Sequence, residues 1–256
     1  VLRAVLISVV VCACAPTRFA RVGKVASTTI ERVELQWSNV YLLRAGDAVA
    51  LVDAGSPVDR DQLFDALVAA GTHPRDVRVV VVTHGHADHA GLARWLQLYG
   101  AAVVLGAGDL PMANDGNNLP LSPTSLFAAA LAPMFEFPYD PFVPDVAVAI
   151  DAPIDLAKYG FADVRVIALP GHTAGSVVVR VGAGDALVGD MVLGGWFGGK
   201  LWPHRAGEHY YQADRRQNYD NVGQLLTMGI ERFYPGHGGP IASASVKSWL
   251  DGVKQR

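Results

Sequence analysis

The apolar positions of this 256-residue chain fall into short runs separated by turn residues, and the period of the runs changes along the sequence. Residues 28–35, 40–44 and 48–53 are rich in β-branched and aliphatic side chains, which predicts three strands, the last two joined by the turn Ala45-Gly46-Asp47. From 59 to 70 the spacing becomes helical, with Leu63, Phe64, Leu67 and Val68 on one face and Gly71 closing the helix. Residues 77–82 are apolar apart from Arg78, the pattern of a strand buried on both faces. That run leads directly into Thr83-His84-Gly85-His86-Ala87-Asp88-His89. A helix over 90–99, ended by Gly100, and a strand over 101–105 come next. Strands alternating with helices in this way indicate a layered α/β architecture.

The pattern lapses between 106 and 159. This stretch holds Pro111, Pro120, Pro123, Pro133, Pro138, Pro141, Pro144 and Pro153, with Phe127, Phe135, Phe137, Tyr139 and Phe142 among them. A short helix is expected around 125–134. The rest, from about 107 to 159, reads as an irregular insertion, and a long irregular segment in a compact domain is usually functional. Strands return at 163–169, 176–181 and 186–190. Residues 194–208 read as a loop containing Gly and Trp, 212–228 as a helix, 232–234 as a short strand and 242–254 as a terminal helix. The second half thus repeats the strand and helix order of the first.

Composition narrows the function classes. Hydrophobic residues make up 51% and charged residues 18%, which excludes disorder and allows a large core in one domain. Lys+Arg is 21 and Asp+Glu is 24, a net charge of −3, and no basic run is present. Nucleic acid is therefore not an expected partner, and a small-molecule substrate is.

Residues 1–26 differ from the rest of the chain. Behind Arg3, residues 4–11 are apolar except Ser8, long enough for the hydrophobic part of a signal peptide and too short to span a bilayer. Val11-Cys12-Ala13-Cys14 resembles the lipobox of bacterial lipoproteins, although Cys12 at its second position departs from that pattern. The resemblance implies a lipid on Cys14, membrane anchoring and a cell-envelope location. A leader without lipid would instead make the protein periplasmic or secreted, and a buried N-terminal strand is a third reading. Residues 15–26 read as a polar tether to a domain spanning 27–256. No cysteine lies beyond Cys14, so that domain has no internal disulfide and no cysteine metal ligand.

Five of the eight histidines sit in glycine- or aspartate-rich loops that each follow an expected strand. The first loop carries His84, His86, Asp88 and His89. The others are Pro170-Gly171-His172-Thr173-Ala174-Gly175-Ser176, Val188-Gly189-Asp190 and Pro235-Gly236-His237-Gly238. Imidazole and carboxylate suit zinc and other borderline divalent ions, and open α/β sheets place their sites at the carboxyl ends of strands. Asp53, ending the third strand, reads from its neighbours alone as a turn residue.

Taken together, HGHADH, PGHTAGS, GD and PGHG in this order resemble the metallo-β-lactamase fold superfamily of metal-dependent hydrolases, over most of the chain. The resemblance implies a four-layer αβ/βα sandwich with two divalent ions at one edge of its paired sheets, zinc first, with iron or manganese as alternatives. His84, His86 and His172 would hold one ion and Asp88, His89 and His237 the other, with Asp190 bridging. Asp53 would support a ligand histidine from behind. A water shared by the two ions, its pKa lowered toward roughly 7, would attack an ester, thioester or lactone, with Asp88 handling a proton.

The same resemblance separates the branches. The β-lactamases of the superfamily generally lack an aspartate in the place of Asp190, which disfavours antibiotic hydrolysis. Glyoxalase II thioesterases and lactonases carry it, but glyoxalase II adds a helical domain where only 19 residues follow His237 here. A phosphodiesterase would be expected to carry a basic RNA-binding arm. A mononuclear iron persulfide dioxygenase uses the first three motifs and stays open as an alternative. The insertion and the loop after Asp190 are expected to shape the pocket, with Trp196, Trp202, His204 and Tyr210 as candidate substrate contacts, or else to pack against the domain. His73, His204 and His209 outside the motifs read as ordinary structural or surface histidines.

Overall fold

The computed structural model describes residues 18–118, 121–135 and 137–255. A seven-stranded sheet runs in chain order: β1 (Arg18–Val25), β2 (Thr28–Glu34), β3 (Asn39–Ala45), β4 (Ala48–Val52), β5 (Val77–Val82), β6 (Ala102–Gly106) and β7 (Val146–Val148). The pairings from β1 to β4 are antiparallel, and those from β4 to β7 are parallel. A second sheet of six strands contains β8 (Ile154–Asp155), β9 (Val164–Ala168), β10 (Val177–Val181), β11 (Asp185–Gly189), β14 (Arg232–Pro235) and β15 (Ile241–Ala242). Between β11 and β14 the chain makes a separate hairpin, β12 (Leu193–Trp196) and β13 (Leu201–Gly207). The helices are α1 (Arg60–Ala69), α2 (Ala87–Ala90), α3 (Ala93–Leu98), α4 (Leu110–Asp115), α5 (Leu126–Leu131), α6 (Arg215–Thr227) and α7 (Ser243–Lys254).

Strand periodicity sorts the apolar side chains into three cores, and three cores between packed elements mean four layers. On β3, Val40 and Leu42 face α1 and α3, while Tyr41 and Leu43 face the other sheet. On β6, Val103 and Leu105 point outward to the helices and Val104 points between the sheets. Across the interior, Val177, Val179 and Val181 of β10 meet the first sheet, and Val178 faces α6 and α7. A side-chain period of 2 makes each strand serve two cores. This is why 77–82 is almost unbroken valine: Val79 through Val82 are fully buried, each stabilising by roughly 1.5–3 kcal/mol. The metallo-β-lactamase fold expected from the motifs is the fold observed.

Three segments differ from the sequence reading. Residues 18–25, expected within a tether, form β1 at the edge of the first sheet. Val22 and Val25 pack on the inter-sheet core while Arg21 and Lys24 face water, and that mixed face hides an edge strand in a polar stretch. Residues 194–208 form most of a hairpin rather than a loop. The insertion is also more ordered than its prolines suggest, because β7 ends the first sheet and β8 ends the second, so it carries the chain from one layer to the other. Among the described residues no helix is long and apolar enough to cross a membrane. Cys12 and Cys14, and with them the lipidation reading, lie outside the described residues.

Candidate metal centre

The motif loops leave the carboxyl ends of five strands and meet at one end of the inter-sheet seam. Asp53 follows β4, the His84 to His89 loop follows β5, His172 follows β9, Asp190 follows β11 and His237 follows β14. Backbone hydrogen bonds stitch the two sheets together here: Val177 N–H donates to Thr83 O at 2.8 Å, and Asn39 N–H to Gly236 O at 2.7 Å. Gly236 admits the close approach, since a Cβ there would lie 2.4 Å from both Asp190 Oδ1 and His89 Cε1.

Asp190 Oδ2 is the common point. His84 Nε2 lies 3.9 Å from it, His89 Nε2 3.4 Å, His172 Nε2 3.8 Å and His237 Nε2 3.2 Å. Asp88 Oδ2 sits 3.5 Å from His89 Nε2 and 3.4 Å from His237 Nε2. His86 Nδ1 approaches His172 Nε2 at 3.1 Å. Among the described residues four groups with ligand atoms inside 4.8 Å result: His84/His86/His172, His84/His89/Asp190, Asp88/His89/His237 and His172/Asp190/His209. All of these side chains are buried except Asp88, which is partly exposed.

Hydrogen bonds behind the rings fix which nitrogen faces inward. Asp53, buried and held at φ 66°, accepts from Thr83 N–H through Oδ1 at 2.7 Å. Its Oδ2 accepts from the Thr83 hydroxyl at 3.0 Å and from His89 Nδ1 at 2.8 Å. With its one proton given to Asp53, the Thr83 hydroxyl accepts from His84 Nδ1 at 3.1 Å. Asp53 therefore holds the Nε2 lone pair of His89 inward directly and that of His84 through Thr83. His172 Nδ1 donates to Tyr211 O at 2.9 Å, which turns its Nε2 lone pair inward as well.

These lone pairs test whether a cation fits. His84 Nε2, His89 Nε2, Asp190 Oδ1 and His237 Nδ1 are buried with no hydrogen-bond partner among the described residues. Unpartnered buried acceptors are costly, and a divalent ion held by imidazole and carboxylate satisfies inward-facing ones such as His84 and His89 Nε2. The electrostatics agree. Burial, with the surrounding rings, holds His84 and His172 well below the ordinary histidine value, and burial holds His86 down at about 4. Burial also opposes charge on His89 and His237, but Asp190 and Asp88 around them overcome it and hold both above the ordinary value. For Asp190, burial is outweighed by His237, His209 and His89, and its carboxyl is held well below the usual range.

Two residues at the site escaped the sequence reading. Asp109, fully buried after β6, accepts from Gly85 N–H at 2.8 Å, Gly175 N–H at 2.7 Å and the Thr173 hydroxyl at 2.7 Å. It ties the first histidine loop to the second, and its place at a strand end beside glycine was the available signal. His209, expected to be structural or at the surface, is buried with Nε2 3.1 Å from Asp190 Oδ2. Nothing local marks it, because it follows a hairpin strand and has no glycine beside it. His73 does behave as an ordinary histidine, its ring against Phe64 and Tyr99 and its Nδ1 accepting from Arg75 N–H. His204 lies at the surface with Nδ1 2.8 Å from Pro240 O, outside the cluster. Trp196 and Trp202 are 60% and 67% exposed on the hairpin, while the Tyr210 hydroxyl accepts from Phe197 N–H at 3.1 Å.

A strand-end cage of histidines and aspartates on this fold defines a class of metal-dependent hydrolases, and the sequence profile of the metallo-beta-lactamase superfamily matches residues 37–237. The chain belongs to that superfamily. Metallo-beta-lactamase domain-containing protein 1 of Xenopus laevis is 28% identical over 200 residues, 77% of this chain and 69% of the relative. Its Rattus norvegicus counterpart is 56% identical over 41 residues, only 16% of either chain. The hydroxyacylglutathione hydrolase of Anaeromyxobacter dehalogenans (strain 2CP-C) is 33% identical over 159 residues, 62% of this chain and 46% of that enzyme. Among solved structures, a metallo-beta-lactamase family protein of Thermus thermophilus superposes with TM-score 0.62 at 23% identity, over 90% of this chain and 78% of that one. The subclass B3 metallo-beta-lactamase BJP-1 of Bradyrhizobium japonicum gives TM-score 0.62 at 16% identity, over 94% of both chains. Likeness at these identities carries the fold alone.

Proposed function

We propose that this protein is a dinuclear zinc hydrolase that cleaves an ester, thioester or lactone. The observation that carries the reading is the convergence of His84, His89, His172 and His237, from three loops, on one carboxylate oxygen of Asp190, with His86 and Asp88 in the adjoining ligand groups. His84, His86 and His172 would hold one ion, Asp88, His89 and His237 the other, and Asp190 both. When bound, such a pair lowers the pKa of a shared water toward roughly 7 and polarises a carbonyl oxygen. The chain does the rest. Asp53 and Thr83 keep His84 and His89 in the ligating tautomer. Asp88, the partly exposed member, would take up the proton of the attacking water. The similarity to hydroxyacylglutathione hydrolase favours a thioester within this class. Exposed Trp196 and Trp202, on the hairpin whose Gly194 N–H donates to His237 O, suit an apolar acyl group.

Metal analysis of the purified protein, followed by a panel of thioester, lactone, β-lactam and phosphodiester substrates, tests this. Two zinc ions per chain with turnover of a thioester or lactone is the expected result. One iron per chain and no hydrolysis would replace the reading with a persulfide dioxygenase.

A further inference from the structure

The tip of the β12–β13 hairpin is apolar and exposed: Trp196, Phe197, Leu201 and Trp202 are 60%, 62%, 47% and 67% accessible to solvent. The start of α5 adds Leu126 and Phe127, at 92% and 57%. The two elements meet through Tyr210, whose hydroxyl accepts from Phe197 N–H at 3.1 Å and whose ring lies 6.4 Å from that of Phe127. Single exposed apolar side chains are ordinary, but six on two joined elements mark a surface that meets a partner.

The tip is fixed in place. Trp196 pairs with Leu201 across it. Gly194 N–H donates to His237 O at 2.9 Å and Gly239 N–H to Pro203 O at 2.7 Å, so both strands are bonded to the loop that carries His237. A Cβ on Gly199 would lie 2.2 Å from Gly238 N, so the turn itself rests on that loop. Phe197 and Trp202 are held at φ 51°, which bulky residues adopt only where their surroundings impose it.

Two observations identify the partner. The first is charge. No carboxylate lies between Asp190 and Glu208, whereas Lys200 and Arg205 are exposed there, on a chain whose net charge is −3. Tryptophan flanked by Lys and Arg suits the headgroup level of a bilayer, where anionic lipid attracts the cations. The second is the path of the chain. Lys200 Nζ lies 2.8 Å from Glu34 Oε1, and Arg18, the first residue of β1, pairs with Glu34 in register. Residues 1–17, with their apolar run at 4–11, therefore join the fold beside the hairpin tip.

We propose that the β12–β13 hairpin and the start of α5 dock into the interface of a phospholipid bilayer, at the edge of the fold where residues 1–17 join it. Docking through this hairpin sets the His237 side of the metal centre against the lipid.

The test uses the full chain with Cys14→Ser, which carries no lipid at that position, and vesicles of phosphatidylcholine alone or mixed with phosphatidylglycerol. Brominated acyl chains quench a tryptophan that enters the bilayer. The expected result is quenching that disappears in Trp196→Phe with Trp202→Phe, a variant that keeps the tip apolar and still binds. Trp196→Ser, Phe197→Ser and Trp202→Ser together lower vesicle partitioning by at least about tenfold with the thermal midpoint unchanged. Arg205→Gln weakens partitioning about fivefold on the mixed vesicles and leaves it unchanged on phosphatidylcholine. An unquenched parent chain, or quenching that survives the two Trp→Phe changes, would overturn the inference. Full vesicle binding by the serine variant would leave residues 1–17 as the membrane contact and overturn it too. A dimer in sedimentation that the serine changes dissolve, with no vesicle binding, would assign the surface to a second copy instead. None of these readouts needs metal or turnover, so their failure leaves the hydrolase reading standing.

Discussion

The two walls of the metal cage are built differently. The floor is made of loops that leave strands buried on both faces: Val79 through Val82 lead to His84, and Ala186 through Val188 lead to Asp190. Three of its rings are braced from behind, His89 by Asp53, His84 by the Thr83 hydroxyl and His172 by Tyr211 O, and Asp109 holds the backbone between His84 and His86 at Gly85. The roof is the hairpin β12–β13, the segment from His209 to Asp214 and the insertion pinned to it through Thr124 and Ser122. Its large side chains stand in water, with Trp196, Phe197, Trp202, Leu126 and Phe127 all more than half exposed. Phe197 and Trp202 also have positive φ, at 51° each, a conformation that bulky residues rarely adopt. The floor thus gathers the candidate metal ligands, and the roof presents its apolar side chains to solvent.

The largest effect should come from breaking the floor at its shared point. Asp190→Ala removes the oxygen that faces four motif histidines and should abolish turnover and metal content together, as elemental analysis and a thioester assay would record. The loss should exceed the roughly 10–100-fold that an outer partner costs. Asp53→Ala is that outer partner. It should weaken metal affinity by roughly 10–100-fold while the chain still folds, since His84 and His89 lose the bonds that set their tautomers. Metal retained at full affinity would separate Asp53 from the site.

Asp109→Ala tests the floor without touching a ring. It strands two buried N–H groups and a hydroxyl, each costing about 1–3 kcal/mol, so urea unfolding should shift by several kcal/mol. Asp109→Asn keeps an acceptor and should lose less. The roof predicts the opposite signature. Trp196→Ala with Trp202→Ala should leave the thermal midpoint and metal content unchanged, because those rings bury little in the folded chain. If they cover an acyl group, KM should rise by about tenfold. A lower midpoint instead would mean that the hairpin packs the fold together.

The same division explains what could be read from sequence. The floor was legible because burial on both faces forces continuous valine runs, and a ligand needs glycine and a strand end beside it, as in Gly85 and Gly189. The roof follows neither rule. The hairpin is interrupted by Gly194, Gly195, Gly198 and Gly199 and exposes its aromatics, so no alternation of buried positions announces β12 or β13. His209 is brought to Asp190 by tertiary pairing with the insertion, which leaves no local trace. The helix expected at 212–228 begins only at Arg215, because Asp214 caps it by accepting from Gln217 N–H at 2.9 Å. That N-cap aspartate was visible in the sequence. β1 was hidden for the usual reason of edge strands, since charge on an exposed edge looks like a tether.

The smallest expected effect joins the two walls. Asp59, in the floor, accepts from Ser56 N–H at 3.0 Å and Gln36 N–H at 3.3 Å. Burial pushes its carboxyl up from 3.8 to about 6 against those bonds, with Asp88 adding to the rise and Lys200 of the hairpin opposing it. A raised carboxyl keeps its proton in the folded state where the unfolded chain has released it. Between pH 4 and 6 the folded state therefore binds more protons, and this group's contribution to stability falls as pH rises through that window. Asp59→Asn keeps an acceptor oxygen and should flatten the slope in urea midpoints measured across that range. Lys200→Met removes the opposing cation, so the titration of Asp59 should move upward, a small change because the ammonium is half exposed and already paired with Glu34 at 2.8 Å. An unmoved titration would place the hairpin too far from the floor for charge to pass between them, and the roof would then act on substrate through its aromatic rings alone.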